Sequence, residues 1–417
     1  MQENPTLQWI AAALFAVALL HTFSTKILHR LARRYPRHGG MFHLLGEVEV
    51  VFGFWAGVLM VVMALASGGG SALQYVESRQ YTEPLFVFAV MVIAASKPVL
   101  VAAASLVRVT ARLMPLPTSV ASVWLGLAAV PLLGSLITEP AAMTLAALML
   151  RERVFCKGPP EWAKYAALGV LFVNVSIGGT LTSYAAPPVL MVASTWQWTS
   201  GFMFATFGWK AALAVLVNAT VLVVVLRKHL SASDDDSGMG RVPGVVQLVH
   251  LAFLAGVVVF AHHPVVFLGL LLFFMGFVQA YARHQDPLIL KEALLVSFFL
   301  AGLVVLGGMQ QWWLQPIVAS LQPLALFFGA LGLTAITDNA ALTYLGSLIE
   351  GISDTSKYML VAGAVAGGGL TVIANAPNPA GVALLRGGFE DGTIGAGSLL
   401  LGAALPTLVA AAAFLLL

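Results

Sequence analysis

Apolar runs of helical length recur along the whole chain, parted by short stretches rich in glycine, proline or charge. A helix needs about 20 apolar residues to cross a bilayer. Continuous runs such as Ala211 to Leu226 lack the alternation of a barrel strand, so the pattern predicts helices throughout. Helices are expected from Leu7, over 42–66 and 85–107, up to Arg227-Lys228, over 244–262, 265–282 and 292–308, and over 393–416. Two further helices, 162–196 and 358–385, are interrupted at Gly178-Gly179 to Pro187-Pro188 and at Gly368-Gly369 to Pro377-Asn378-Pro379. Glycine weakens a helix, and proline removes a donor and clashes with the preceding turn, so each cluster should unwind its helix locally. Irregular backbone at membrane depth lines a cavity or is buried in protein, and paired interruptions point to a transporter's central site.

Composition fixes the class. Of 417 residues 59% are hydrophobic and 9% charged, and the mean hydropathy is +0.92. That leaves too little polar surface for a soluble domain and predicts an all-α polytopic membrane protein. The run from Leu7 has no basic residue before it and no small-residue cleavage site after it, as expected of a retained helix. The sole cysteine, Cys156, excludes an intramolecular disulfide. The basic residues are scattered between apolar runs and do not point to nucleic acid.

Charge sets the orientation, because short cytoplasmic loops concentrate Lys and Arg. With the N-terminus outside, 17 of the 21 Lys and Arg fall in the cytoplasm. The stretch 117–150 then has Arg108 and Arg112 before it and Arg151, Arg153 and Lys157 after it, all inside. This predicts a re-entrant hairpin turning at Gly134 to Pro140, and 314–350 is its counterpart from outside. Ser231 to Arg241, with Asp234-Asp235-Asp236, reads as a cytoplasmic linker. The chain divides into inverted-topology repeats, 1–230 and 244–417, joined by 231–243. Each has three helices, a re-entrant hairpin, a broken helix and a closing helix, about 10 spans plus 2 hairpins in all, with both termini periplasmic to a bacterial inner membrane.

A repeated phrase marks both hairpin tips. Ile137-Thr138-Glu139-Pro140-Ala141-Ala142-Met143-Thr144 returns 199 residues later as Ile336-Thr337-Asp338-Asn339-Ala340-Ala341-Leu342-Thr343. Each copy carries one carboxylate, which costs roughly 2.5–3.5 kcal/mol at membrane depth on insertion scales and so suggests function. The competing reading is an N-terminal cap, in which the acid accepts backbone N–H bonds where a helix starts.

The order of elements resembles the ion transporter superfamily, which includes divalent-anion/sodium symporters, arsenite permeases and some sodium/proton antiporters. The Thr337-Asp338-Asn339 tip and the Asn375-Ala376-Pro377-Asn378-Pro379 break resemble a bacterial family of sodium/proton antiporters. Dicarboxylate relatives carry Ser-Asn-Thr at these tips, and the departure here points away from anions. The resemblance implies alternating access, with hairpins and broken helices moving as one unit, and a homodimer formed through the remaining scaffold.

Two carboxylates beside free carbonyls and hydroxyls make a negative site suited to Na⁺ or H⁺. One predicted site joins Asp338 with Asn339, Asn375, Asn378, Thr337 and Thr343. Its mirror joins Glu139 with Thr138, Thr144, Thr180, Thr182 and Ser183. Na⁺ and H⁺ are thus cargo, and no cofactor is expected. Lys97 in the middle of the third helix calls for a carboxylate partner, Glu47 or Glu49, and those acids also suit a proton path. His262-His263 has no third metal ligand nearby. A sodium-coupled anion symporter or arsenite-type permease on the same scaffold is the second reading. An intramembrane enzyme is the third, with no HExxH, GxSxG or phosphate loop to support it.

Overall fold

A computed structural model describes residues 5–156, 158–230, 240–390 and 392–417. Lys157 and most of the expected linker, including Asp234-Asp235-Asp236, lie outside the described residues. The described chain is helical, with no strand among its elements. Among the described residues six helices are long and apolar enough to cross a membrane, up to eight if each of two bent pairs is one span, and the protein is a multi-pass membrane protein. The first of them, Pro5–Thr22, is largely peripheral, whereas 83% of the most apolar window in Glu161–Leu181 is buried.

The expected continuous helix over 85–107 is instead two, Thr82–Ala94 and Lys97–Leu113, bent by 65°. Pro98 explains the bend: it has no N–H for the Ala94 carbonyl and its ring would clash there, so one helix cannot run through, and the chain is extended at Ser96 with φ −67, ψ 145. Lys97 consequently begins a helix rather than lying in the middle of one.

Three elements build each tip region. In the first half, Ala129–Ile137 leads to the tip and Glu139–Arg151 leaves it; in the second, Pro323–Thr334 leads and Asn339–Ser347 leaves. The broken helices follow, Glu161–Gly178 with Pro187–Ala193, and Asp354–Gly367 with Asn378–Leu385. Pro187 and Pro379 sit in the first turns of the restarts, where a proline gives up no hydrogen bond. The short segments are exchanged: Pro187–Ala193 packs on Asn339–Ser347 of the other half, and Asn378–Leu385 packs on Glu139–Arg151. The long segments touch where Ser176 Oγ donates to the Val365 carbonyl at 2.8 Å. Leu290–Gly307 packs on Val48–Ser67 and Thr82–Ala94. At the first of these contacts Gly302 lies against the Gly53 backbone, an approach only small residues permit.

Candidate functional site

Both halves build their tips with the same hydrogen bond. Thr182 Oγ1 donates to the Ser135 carbonyl at 2.7 Å, and Thr371 Oγ1 to the Ala335 carbonyl at 2.8 Å. Gly178 lies against the Pro131 carbonyl as Gly367 lies against that of Leu331. One residue on, Gly179 faces Glu139 and Gly368 faces Asn339.

Glu139 opens its helix and is fully buried. Its Oε2 accepts from Asn375 Nδ2 at 2.8 Å, and its Oε1 lies so near Gly179 that a Cβ there would come within 2.5 Å. Thr138 precedes it at φ +74, ψ +151, a conformation adopted essentially by glycine alone that costs another residue about 1–3 kcal/mol. Such strain persists only where surrounding structure enforces it. Asn339 opens the equivalent helix, fully buried, its N–H donating to the Ala374 carbonyl. Asn378 Nδ2 donates to the carbonyls of Gly368 and Thr371 at 2.8 and 2.9 Å.

These residues hold a concentration of buried oxygens without a hydrogen-bond partner in the protein: Thr138 Oγ1, Glu139 Oε1, Asn339 Oδ1, Asn375 Oδ1 and Asn378 Oδ1. Leaving such a group unpaired costs about 1–3 kcal/mol. All are hard donors of the kind small cations take. The helix that Glu139 opens places the positive end of its dipole beside the carboxylate.

Asp338 stands apart. It caps Asn339–Ser347, its Oδ1 accepting from Ala340 N at 2.8 Å and Ala341 N at 3.3 Å. Half-buried, it lines a small cavity with Thr337, Thr22, Val48 and Phe52. Val48, the neighbour of Glu49 in sequence, lines the same cavity.

The structure therefore regroups the predicted residues. Asn375, grouped with Asp338 in the sequence, binds Glu139, because the exchange of short segments carries the second break to the first tip. Thr144, Thr180, Thr337 and Thr343 donate to carbonyls within three or four residues of themselves. Ser183 Oγ bonds Ser200 Oγ. Lys97 pairs with Asp286 at 2.9 Å and not with Glu47 or Glu49. Both glutamates are half-buried at the start of Val48–Ser67, Glu47 just before it and Glu49 in its first turn, while the bend at Pro98 takes Lys97 to a different partner. Sequence reasoning missed Asn174 and Asn218, buried and bonded to each other at 3.0 Å. Their signal was an amide inside an apolar run.

Unwound segments that meet at a buried carboxylate in a helical membrane protein are the arrangement of a transporter's central site. Residues 6–417 match the family described as "Putative Na+/H+ antiporter", and the chain belongs to that family, which is one of transporters and not of enzymes. The fold is similar to that of the YdaH transporter of Alcanivorax borkumensis, solved with what its description calls an unusual topology. The TM-score is 0.51 at 17% identity, over 88% of this chain and 96% of that one. No curated protein matches.

Proposed function

We propose that the protein exchanges sodium ions for protons across a bacterial inner membrane, and that Glu139, held by Asn375, is where the two ions compete. The observation that carries this reading is a fully buried carboxylate with one amide partner and unpartnered oxygens on both tips and on the second break. A carboxylate stripped of water is costly as a bare charge, so it holds either a proton or a cation, which is sufficient chemistry for antiport. Among the described residues no Lys or Arg forms an ion pair with Glu139 or Asp338, so no fixed cation occupies the role. Thr138, Asn339 and Asn378 complete the sodium shell. Asp338 and Glu49 relay protons toward Glu139 through the cavity at Thr22 and Val48.

The matched contacts of Thr182 and Thr371 support two repeats; inverted topology, re-entrant hairpins and about 10 spans complete the reading, on the charge distribution of the loops. Hairpins and broken helices move as one unit against the remaining helices, and copies pair through that scaffold, as the superfamily resemblance implies. Both termini are periplasmic.

The test is proton flux in proteoliposomes loaded with a pH dye under an inward sodium gradient. Wild type releases protons, and Glu139→Gln does not. Wild-type rates in that variant would remove Glu139 from the mechanism, and flux with neither sodium nor lithium in competent wild-type vesicles would exclude antiport.

A further inference from the structure

A chamber of about 440 Å³ adjoins the first break, lined among others by Glu83, Ser183, Ser194, Gln197, Ser200 and His262. Glu83 lies in the first turn of Thr82–Ala94, and its Oε1 accepts from Ser194 Oγ at 2.6 Å. Ser194 directly follows the short segment Pro187–Ala193, so this bond ties a scaffold helix to the broken helix. Among the described residues no Lys or Arg lines the chamber, and the other titratable groups facing it are His262 and Tyr184. The inner wall is the break itself: Ser183 lies four residues beyond Gly179, the glycine that faces Glu139.

We propose that this chamber is an antechamber that gathers hydrated alkali cations around Glu83. The proposal rests on the sodium/proton reading above and adds a second cation site to it. A cleft carrying one sign of charge between low-dielectric walls focuses its field and raises the local concentration of counter-ions. A water takes about 30 Å³ of liquid volume, so the chamber holds an ion together with its hydration shell. The hydroxyls of Ser183, Ser194 and Ser200 and the Gln197 amide offer that shell hydrogen bonds. Dehydration is then left to the oxygens around Glu139, deeper in the break, and anions are repelled before they reach it.

The experiment reads the field without requiring transport. In the full chain carrying Cys156→Ser, Ala261→Cys places the only thiol on the chamber wall. Its reaction with methanethiosulfonate reagents of positive and negative charge is timed at pH 8. The positive reagent is expected to react several-fold faster, relative to a free thiol, and Glu83→Gln to bring the ratio back toward one. A ratio that Glu83→Gln leaves unmoved overturns the antechamber. In flux assays Glu83→Gln raises the sodium concentration for half-maximal rate several-fold at unchanged maximal rate, and Glu83→Asp restores it; a lowered maximal rate with unchanged sodium dependence also overturns the proposal. If competent wild-type vesicles show no flux with sodium or lithium while the thiol ratio behaves as expected, the antiport reading falls and the antechamber stands.

Discussion

Asn375 Nδ2 lies 2.8 Å from Oε2 of Glu139, so an amide in the second break holds a carboxylate at the first tip across 236 residues of chain. Hydrogen bonds to charged groups contribute about 1.5–3 kcal/mol, and each 1.4 kcal/mol is about tenfold in affinity. Asn375→Ala should raise the sodium concentration for half-maximal proton release about tenfold or more. The sodium dependence of dye-reported flux measures it, and an unchanged half-maximal concentration in well-folded protein would make the amide purely structural.

Asp338 offers a clean separation of cap from ion ligand. Asparagine caps helices as well as aspartate, while alanine costs about 0.5–2 kcal/mol. Asp338→Asn should therefore melt like wild type yet lose sodium-driven proton flux, whereas Asp338→Ala should lose both stability and flux. Full flux in Asp338→Asn would leave the carboxylate a cap and nothing more.

Gly179 and Gly368 are the walls of the two tips. A Cβ on Gly179 meets Glu139 Oε1, and one on Gly368 meets Ser176 Oγ and the Asn339 amide. Gly179→Ala should displace the carboxylate and cut exchange at least tenfold, since small misplacements of reacting groups cost that much or more. Thermal melting in detergent distinguishes this from global unfolding: the melting point should fall by a few degrees only.

The Lys97–Asp286 pair is exposed on its acidic side, 65% at Asp286 against 23% at Lys97. Exposed pairs contribute about 0–1 kcal/mol. Lys97→Gln should leave both melting and sodium/proton exchange near wild type; loss of exchange would return Lys97 to the site.

The sequence made the tips and breaks visible because carboxylates and Gly-Pro clusters are conspicuous in an apolar chain. It misled on register. The repeated phrase aligns Glu139 with Asp338, but the helices align Thr138 with Asp338 as caps and Glu139 with Asn339 as first residues. Asp338 reaches two backbone N–H groups and so starts its helix one residue later, while Thr138 takes a strained backbone and makes no side-chain cap bond. The glycines shift likewise, with Gly367-Gly368 playing the part of Gly178-Gly179. Which amide meets which acid was illegible, because it depends on how the halves cross, and no local pattern encodes that crossing. The bend at Pro98 had a local signal, but the apolar run around it masked the break.

The exchanged packing of Pro187–Ala193 and Asn378–Leu385 means that neither half is a module. A chain ending at the midpoint would present Glu139 without its amide and two helix faces without their mates. Such a fragment could complete the site only by clasping a second copy in the opposite sense. Severing the backbone at the midpoint should therefore be tolerated when both pieces are made together, and neither piece should persist when made alone.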